Sequence, residues 1–206
     1  MKNNKKITKW IDSRRKKTSF IVKKKEISSL IKWECNKKKI SHISEKFFQI
    51  LGIRIKSNFF NNETWDQPLI SQNEVGILGI IRRLYGGKIE YLMQAKSEPG
   101  NINKVQLSPT VQATKSNYSQ VHRGKKVKYL NYFAHPKKKT TLVNSLQTEQ
   151  GGRYLFKYNR NLIVNTNSQI KLDKNYMWLS KQDIINSANK NNLLNMDSIS
   201  VFSCGI

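Results

Sequence analysis

The sequence predicts a chain that mixes β-strands with α-helices, the combination typical of an α+β protein. An apolar run over residues 75–84 predicts a strand, and the Tyr-Gly-Gly-Lys at 85–88 predicts a hairpin turn into a second strand over 89–95. Ser180, with Asp183 three residues later, has the spacing of a capping box. We therefore expect a helix from this cap through Asn189.

Other segments are assigned from their apolar spacing. Residues 26–35 have the spacing of a short amphipathic helix, and residues 44–51 read as a helix capped by Ser44. Residues 177–179 predict the end of a strand. We expect residues 1–25 to form a basic, flexible extension and residues 26–206 to form a single domain, a size that can bury a core.

The chain is strongly basic, with 38 Lys and Arg against 13 Asp and Glu, a net charge of +25. This charge favours anionic partners, although a general bias towards Lys and Asn would produce it as well. Cys35 and Cys204 match neither a disulfide framework nor a metal spacing. The longest apolar run, over 75–81, is too short to span a bilayer, so we expect a cytoplasmic protein without a membrane segment.

A polar stretch over residues 90–122 has few aliphatic side chains and is dense in amides, hydroxyls and lysines. It reads EYLMQAKSEPGNINKVQLSPTVQATKSNYSQVH. We predict a strand over 91–95, a turn over 98–101 and a second extended segment over 104–107. Polar side chains on such strands either line a ligand pocket or hydrogen-bond to one another within a loop. The pattern leaves both alternatives open.

A second polar block covers residues 142–165 and reads LVNSLQTEQGGRYLFKYNRNLIVN. Lys157 and Arg160 lie three positions apart and flank Asn159. This is a suitable arrangement for binding a diphosphate. The alternative is an exposed basic strand.

Both blocks resemble the signature segments of the NDP-hexose 2,3-dehydratase family. The resemblance rests on QAKSEPGNINKVQLSPTVQATKSNY, on Gln-Thr-Glu-Gln-Gly at 147–151 and on Lys-Tyr-Asn-Arg-Asn at 157–161. Trp-Asp-Gln-Pro at 65–68 and Asn-Met-Asp at 195–197 are similar to further family motifs. Because several long motifs occur in the family's order over residues 47–196, the resemblance is specific.

The resemblance implies an α+β fold, a Nudix-like mixed sheet flanked by helices, with which the predicted strands and helices are compatible. It implies a nucleotide-linked 4-keto-6-deoxyhexose of the dTDP type as substrate, from which water is eliminated across C2 and C3. The reaction needs neither a metal nor another cofactor. Family members usually carry two copies of a unit this long. We therefore expect this single copy to form a homodimer.

The candidate site residues follow from this resemblance and from their chemical type. The side chains able to carry protons are Tyr118, His122 and Glu149, and nothing in the sequence ranks these catalytic candidates. The expected substrate-binding residues offer amides, cations and one indole ring. They are Trp65, Gln67, Gln94, Lys96, Gln112, Lys115, Asn117, Gln147, Gln150, Lys157, Asn159, Arg160 and Asn161.

Two other functions remain open from the sequence. A nucleic-acid-binding protein would explain the charge of +25 and the lysines of residues 1–25. An inactive relic that still binds a nucleotide sugar would explain the motifs without the chemistry. Nucleic acid is the less favoured partner, because residues 1–25 lack the aromatic spacing of a stacking surface.

Overall fold

A computed structural model describes residues 2–59, 61–114 and 126–205. Its regular elements, in chain order, are α1 (Lys2–Lys17), β1 (Trp33–Cys35), β2 (Lys39–His42), β3 (Gln49–Ser57), β4 (Glu63–Ser71), β5 (Gly76–Tyr85), β6 (Lys88–Ser97), β7 (Val105–Ser108), β8 (Val111–Ala113), α2 (Asn131–Ala134), β9 (Thr141–Thr148), β10 (Tyr154–Leu155), β11 (Tyr158–Asn165), β12 (Tyr176–Ser180), α3 (Lys181–Ala188) and α4 (Met196–Ser203). Short 3₁₀ turns lie at Ile27–Ser29 and Lys138–Thr140. Helices and strands in separate runs make this an α+β chain.

The chain forms two compact units, where the sequence predicted a single domain over residues 26–206. The larger unit comprises Met1–Val22, Gly76–Gln147 and Arg160–Ile206. The smaller unit comprises Lys23–Val75 and Thr148–Asn159. Each unit is described separately below.

The larger unit is built on a sheet with the strand order β12-β6-β5-β11-β9, to which β7 and β8 are added. Side chains of successive strand residues point to opposite faces of a sheet. On β6, Met93 belongs to one buried cluster and its neighbour Leu92 to another. The sheet therefore has an apolar core on each face. One core contacts α1, α3 and α4 through Ile11, Ile184 and Val201.

The first helix, α1, differs from the flexible extension that we predicted for residues 1–25. Its Ile7 and Ile11 are 2% and 0% exposed and belong to the core of the larger unit. These residues are four positions apart, so they lie on the same helix face. Lys190 Nζ donates to Thr8 Oγ1 at 2.9 Å and adds a polar contact. The sequence prediction missed this narrow apolar stripe because lysines dominate the segment.

The smaller unit contains a sheet with the order β1-β2-β3-β4-β10. Most of it is a long antiparallel pair between β3 and β4, from Gln49 opposite Ser71 to Ser57 opposite Glu63. Among its described apolar residues, Leu69 alone is buried. The smaller unit therefore leaves much of its apolar surface exposed.

Two helices predicted for this unit are wrong. Residues 26–35 form the 3₁₀ turn and β1, and residues 44–51 form a turn followed by the first part of β3. The strand at β3 continues to Ser57 with alternating Leu51, Ile53 and Ile55, a period of two that a window ending at residue 51 does not include. Pairing with β2 and β4 then stabilises the strand.

Several local predictions for the larger unit are confirmed. Tyr85 pairs with Lys88 across the tight turn, where Gly86 and Gly87 have φ of 54° and 72°. These left-handed values suit glycine. Ser180 and Asp183 form the predicted capping box, and α3 follows directly.

Among the described residues, no helix is long and apolar enough to cross a membrane.

Candidate functional site

The polar stretch lies where the central hairpin of the larger unit divides. Strands β5 and β6 pair from Tyr85 opposite Lys88 as far as Ile81 opposite Leu92. Beyond that point, β6 pairs with β7 and β5 pairs with β8. The fully buried Thr110 lies at the division. Its hydroxyl accepts a hydrogen bond from Ile81 N at 3.0 Å and donates one to Leu92 O.

This division brings together a network of amide and charged side chains, centred on Gln112 of β8. Gln112 Nε2 donates to Glu98 Oε1 at 2.9 Å. Gln112 Oε1 accepts from Ser108 Oγ at 2.9 Å and from Asn195 Nδ2 at 3.1 Å. Lys96 Nζ lies 3.3 Å from Glu98 Oε1. We call Lys96, Glu98, Ser108, Gln112 and Asn195 the Gln112 network.

The helix α4 holds one end of the Gln112 network in place. Asn195 is its N-cap, and Asn195 Oδ1 accepts from Ser198 N at 2.9 Å. The backbone N–H of Asn195 donates to Leu107 O on β7 at 2.9 Å. An N-cap of this kind is worth about 1 kcal/mol to a helix. Asn195 therefore serves the fold and the network together.

The structure brings the side chains of Lys96 and Gln112 to the same Glu98 oxygen and leaves other predicted residues apart. Gln94 is half-buried on β6 and its side chain makes no hydrogen bond with another described residue. Gln147 is exposed, and its amide donates to Ser145 Oγ at 2.8 Å. Arg160 is exposed on β11.

Asn161 has a structural position in the larger unit. Its side chain is fully buried, and Nδ2 donates to Ser200 Oγ at 2.8 Å and to Cys204 Sγ at 3.4 Å. These contacts fix α4 on the sheet.

The smaller unit contains a second group of predicted residues around Glu149. Asn159 Nδ2 donates to Glu149 Oε1 at 2.6 Å, and Glu149 N donates to Lys157 O at 2.9 Å. Lys157 is only 5% exposed, and its ammonium donates to the backbone carbonyl of Glu74. Burial lowers the pKa of Lys157, while the nearby Glu149 and Glu74 carboxylates oppose that shift.

Lys157 and Arg160, the two cations of the predicted diphosphate arrangement, differ in exposure. Lys157 is buried in the smaller unit with its ammonium already bonded, whereas Arg160 is exposed in the larger unit. A free cation is the better phosphate ligand, because it does not have to give up a buried hydrogen bond.

Trp65, Gln67 and Gln150 also lie in the smaller unit. The half-buried Trp65 donates through Nε1 to Gln67 Oε1 at 2.9 Å. Gln67 Nε2 in turn donates to Gly152 O at 3.1 Å. Gln150 is exposed, and its backbone carbonyl accepts hydrogen bonds from Arg153 N and Tyr154 N, each at 2.9 Å. These bonds join β4 to the turn before β10.

Four predicted residues lie outside the described residues: Lys115, Asn117, Tyr118 and His122. Within the described ranges, no three His, Cys, Asp or Glu side chains are grouped as a metal site.

The sequence reasoning missed three members of the Gln112 network. Glu98 was assigned only to a turn, which the structure confirms through Asn101 N donating to Glu98 O at 3.1 Å. Ser108 and Asn195 are both buried. A carboxylate two residues after Lys96, inside an amide-rich stretch, was the available signal for Glu98. No local signal places Asn195 near residues 98–112, because the chain brings it there from 83 residues beyond Gln112.

The chain has an α+β fold in which the Gln112 network gathers amide, hydroxyl and charged side chains. The model of the NDP-hexose 2,3-dehydratase family matches residues 4–204, and the chain belongs to that family.

Three curated relatives carry the name dTDP-4-dehydro-6-deoxy-α-D-glucopyranose 2,3-dehydratase. The protein of Saccharopolyspora spinosa is 38% identical over 197 residues, which is 95% of this chain and 40% of the relative. That of Amycolatopsis orientalis is 41% identical over 95% of this chain and 43% of its own length. That of Streptomyces violaceoruber is 41% identical over 80% of this chain and 37% of its own length. The chain thus spans about two fifths of these relatives.

Among solved structures, the Ap4A hydrolase of C. elegans is similar at 17% identity, over 64% of this chain and 97% of that chain. The TM-score of 0.35 is too low to establish a shared fold.

Proposed function

We propose that this chain is a 2,3-dehydratase acting on a dTDP-linked 4-keto-6-deoxyhexose. The supporting observation is the family match over residues 4–204, together with relatives of that name at 38% to 41% identity. Lys96, Glu98, Ser108 and Gln112 of the network lie in the segment that carries the longest family motif, and Asn195 belongs to the Asn-Met-Asp motif. A deoxysugar pathway is the setting that these relatives imply.

The reaction requires a base, a donor to an enolate oxygen and an acid. The C4 ketone acidifies the hydrogen on C3, a base removes it, and an acid assists the departure of the C2 hydroxyl. Tyr118, His122 and Glu149 remain our predicted candidates for proton transfer. Of these, Glu149 is held through one oxygen by Asn159.

Substrate binding is proposed for the amide and cationic residues named from the sequence. Lys96 and Gln112 have the strongest structural support, because their side chains meet on one carboxylate. Trp65, Gln67, Gln147 and Gln150 offer amide or indole groups that are at least partly exposed. A cytoplasmic location, a homodimer and a Nudix-like arrangement of the sheet are further parts of this proposal.

Turnover of the substrate tests the proposed function. The purified chain is incubated with dTDP-4-keto-6-deoxyglucose and a 3-ketoreductase, and the mixture is analysed for the 2-deoxy product by mass spectrometry. Appearance of a product lighter by one oxygen supports the dehydratase. Binding of the nucleotide sugar without elimination reduces the chain to a binding relic.

Nucleic-acid binding is the rival function, favoured by the net charge of +25. Such binding falls steeply with salt, because each phosphate contact releases counterions. Fluorescence anisotropy with a labelled oligonucleotide at about 0.15 M salt, compared with a low-salt buffer, measures this dependence. An oligonucleotide that remains unbound at the higher salt eliminates the rival.

A further inference from the structure

We propose that Glu98 is the general base that removes the C3 proton in this reaction, an assignment that rests on the proposed function. Glu98 was not among the catalytic candidates taken from the sequence. It directly follows β6 within the longest family motif, and side-chain contacts with Lys96 and Gln112 place it in the Gln112 network.

Both donors to the Glu98 carboxylate bind the same oxygen. Gln112 Nε2 lies 2.9 Å and Lys96 Nζ 3.3 Å from Oε1. None of the described residues donates a hydrogen bond to Oε2. The two donors therefore fix one oxygen, and no group of the described residues occupies the other, which suits a carboxylate base.

The orientation of the Gln112 amide is determined by its other partners. Ser108 Oγ and Asn195 Nδ2 both donate to Gln112 Oε1, at 2.9 Å and 3.1 Å. Because Asn195 Oδ1 accepts from Ser198 N, its amide nitrogen must face Gln112. A reversed Gln112 amide would place its oxygen against the carboxylate and lose both donors. The network therefore presents an N–H to Glu98.

The exposure of these side chains suits a group that meets substrate. The side chains of Glu98 and Lys96 are 32% and 24% exposed. Ser108, behind them, is fully buried. The buried residues hold the carboxylate, while the Glu98 side chain itself remains partly exposed.

The step balances without a cofactor. Glu98 takes the proton from C3, and the C–H electron pair enters the enolate of the C4 ketone. That pair then forms the C2=C3 bond as the C2–O bond breaks, and the hydroxyl leaves as water after an acid protonates it. The resulting enol at C3 becomes a ketone as C2 takes up a proton. One water is lost.

Exchange of the C3 hydrogen isolates the step assigned to Glu98. The full chain, Glu98→Gln and Glu149→Gln are incubated with dTDP-4-keto-6-deoxyglucose in D₂O, and deuterium at C3 is followed by NMR alongside elimination. Loss of a general base typically lowers the rate about 10²–10⁴-fold. We expect this loss in Glu98→Gln, with binding of dTDP unchanged.

Glu90→Gln is the matched control. Glu90 lies on β6, the strand that Glu98 follows, its side chain is 26% exposed, and it forms an ion pair with Arg83 at 2.6 Å. It should retain exchange and elimination at the wild-type rate, which separates a lost base from a lost ion pair. Circular dichroism establishes that each variant is folded.

The outcomes separate the two proposals. If Glu98→Gln exchanges as fast as the wild type, the assignment of Glu98 is overturned and the dehydratase stands. The same conclusion follows if only Glu149→Gln loses exchange. A wild-type chain that neither exchanges nor eliminates overturns both proposals.

Discussion

Lys157 shows how burial changes the function expected of a cation. The sequence places it among phosphate-binding residues, but its ammonium is buried against the Glu74 carbonyl. Desolvation already lowers its pKa, so the site tolerates the charge at a cost. We infer that its main contribution is to hold the segment after Glu149 against the end of the β4 strand region within the smaller unit.

The first prediction concerns this contribution. Lys157→Met should destabilise the protein by about 1–3 kcal/mol, because the hydrogen bond from the buried Lys157 to the Glu74 carbonyl is lost. Arg160→Met, on the exposed face of β11, should change the stability by no more than about 0.5 kcal/mol. Urea unfolding measures both. If Lys157→Met is as stable as the wild type but has lost affinity for dTDP, Lys157 is a phosphate-binding residue instead.

Tyr176 gives a prediction of pH dependence. It is 7% exposed, and burial raises the pKa of its phenol above the usual range, with Tyr129 and Asp173 adding to the shift. In the unfolded chain, a tyrosine phenol has a pKa of about 10. Because the folded pKa is the higher one, its contribution to stability is complete below that pH and is lost as the pH rises further.

Tyr176→Phe should therefore remove this part of the alkaline sensitivity. Urea midpoints of the variant and the wild type, compared at pH 8 and at pH near 11, measure the effect. We expect the wild type to lose more stability than the variant between the two values. Equal losses would show that this phenol is not protected from ionisation.

At the level of elements, Thr110 determines where the central hairpin divides. Its hydroxyl takes the place of a strand neighbour for Ile81 N and Leu92 O. Thr110→Val keeps the shape but leaves two buried backbone groups unpaired, at roughly 1–3 kcal/mol for each. Unfolding in urea should show this loss.

Thr110→Ser is the control, since it keeps the hydroxyl, and it should retain most of the lost stability. Hydrogen exchange of the Ile81 amide provides a local measurement, with faster exchange expected in the valine variant. Unchanged protection there would mean that water or another group pairs with this amide equally well.

The elements that the sequence predicts correctly are those that depend on residues close to one another in the chain. The hairpin at Gly86 and Gly87 and the capping box at Ser180 depend on residues close in sequence, and both are confirmed. The strand β3 depends on partners on both sides, and the sequence analysis assigned its start to a helix. Local propensity decides the first kind of element, and tertiary pairing decides the second.

The site follows the same rule. Lys96 and Gln112 were predicted because the family motif names them, and the structure brings them together. Asn195 was missed because its contact with Gln112 joins residues 83 positions apart. The buried state of Lys157 was missed because a lysine in sequence carries no sign of its partner.

At the level of the whole molecule, the two units differ in how their apolar surface is covered. Both buried clusters belong to the larger unit. In the smaller unit Ile31 and Ile43 are 80% and 56% exposed, near a group of rings formed by Trp33, His42, Phe47 and Phe48. We call this surface the Ile31 patch. Soluble monomers rarely expose contiguous apolar patches of large area.

The last prediction is that a second copy of the chain covers the Ile31 patch. The relatives are more than twice as long as this chain, a length sufficient for a second unit of this size within one polypeptide. A two-fold dimer is the simplest arrangement in which one patch meets itself. An interface above roughly 1,000 Å² would be needed for a stable dimer. Light scattering should then give about twice the chain mass of 24.0 kDa.

Salt and two substitutions test this contact. Each copy carries +25, so screening should strengthen a dimer held by apolar contact as salt is raised. The double variant Ile31→Ser, Ile43→Ser should be monomeric. Ile102→Ser, equally exposed at 76% in the larger unit, should remain dimeric. A wild-type chain that scatters as a monomer at moderate salt excludes the homodimer, and a dimer that survives the double variant places its interface elsewhere.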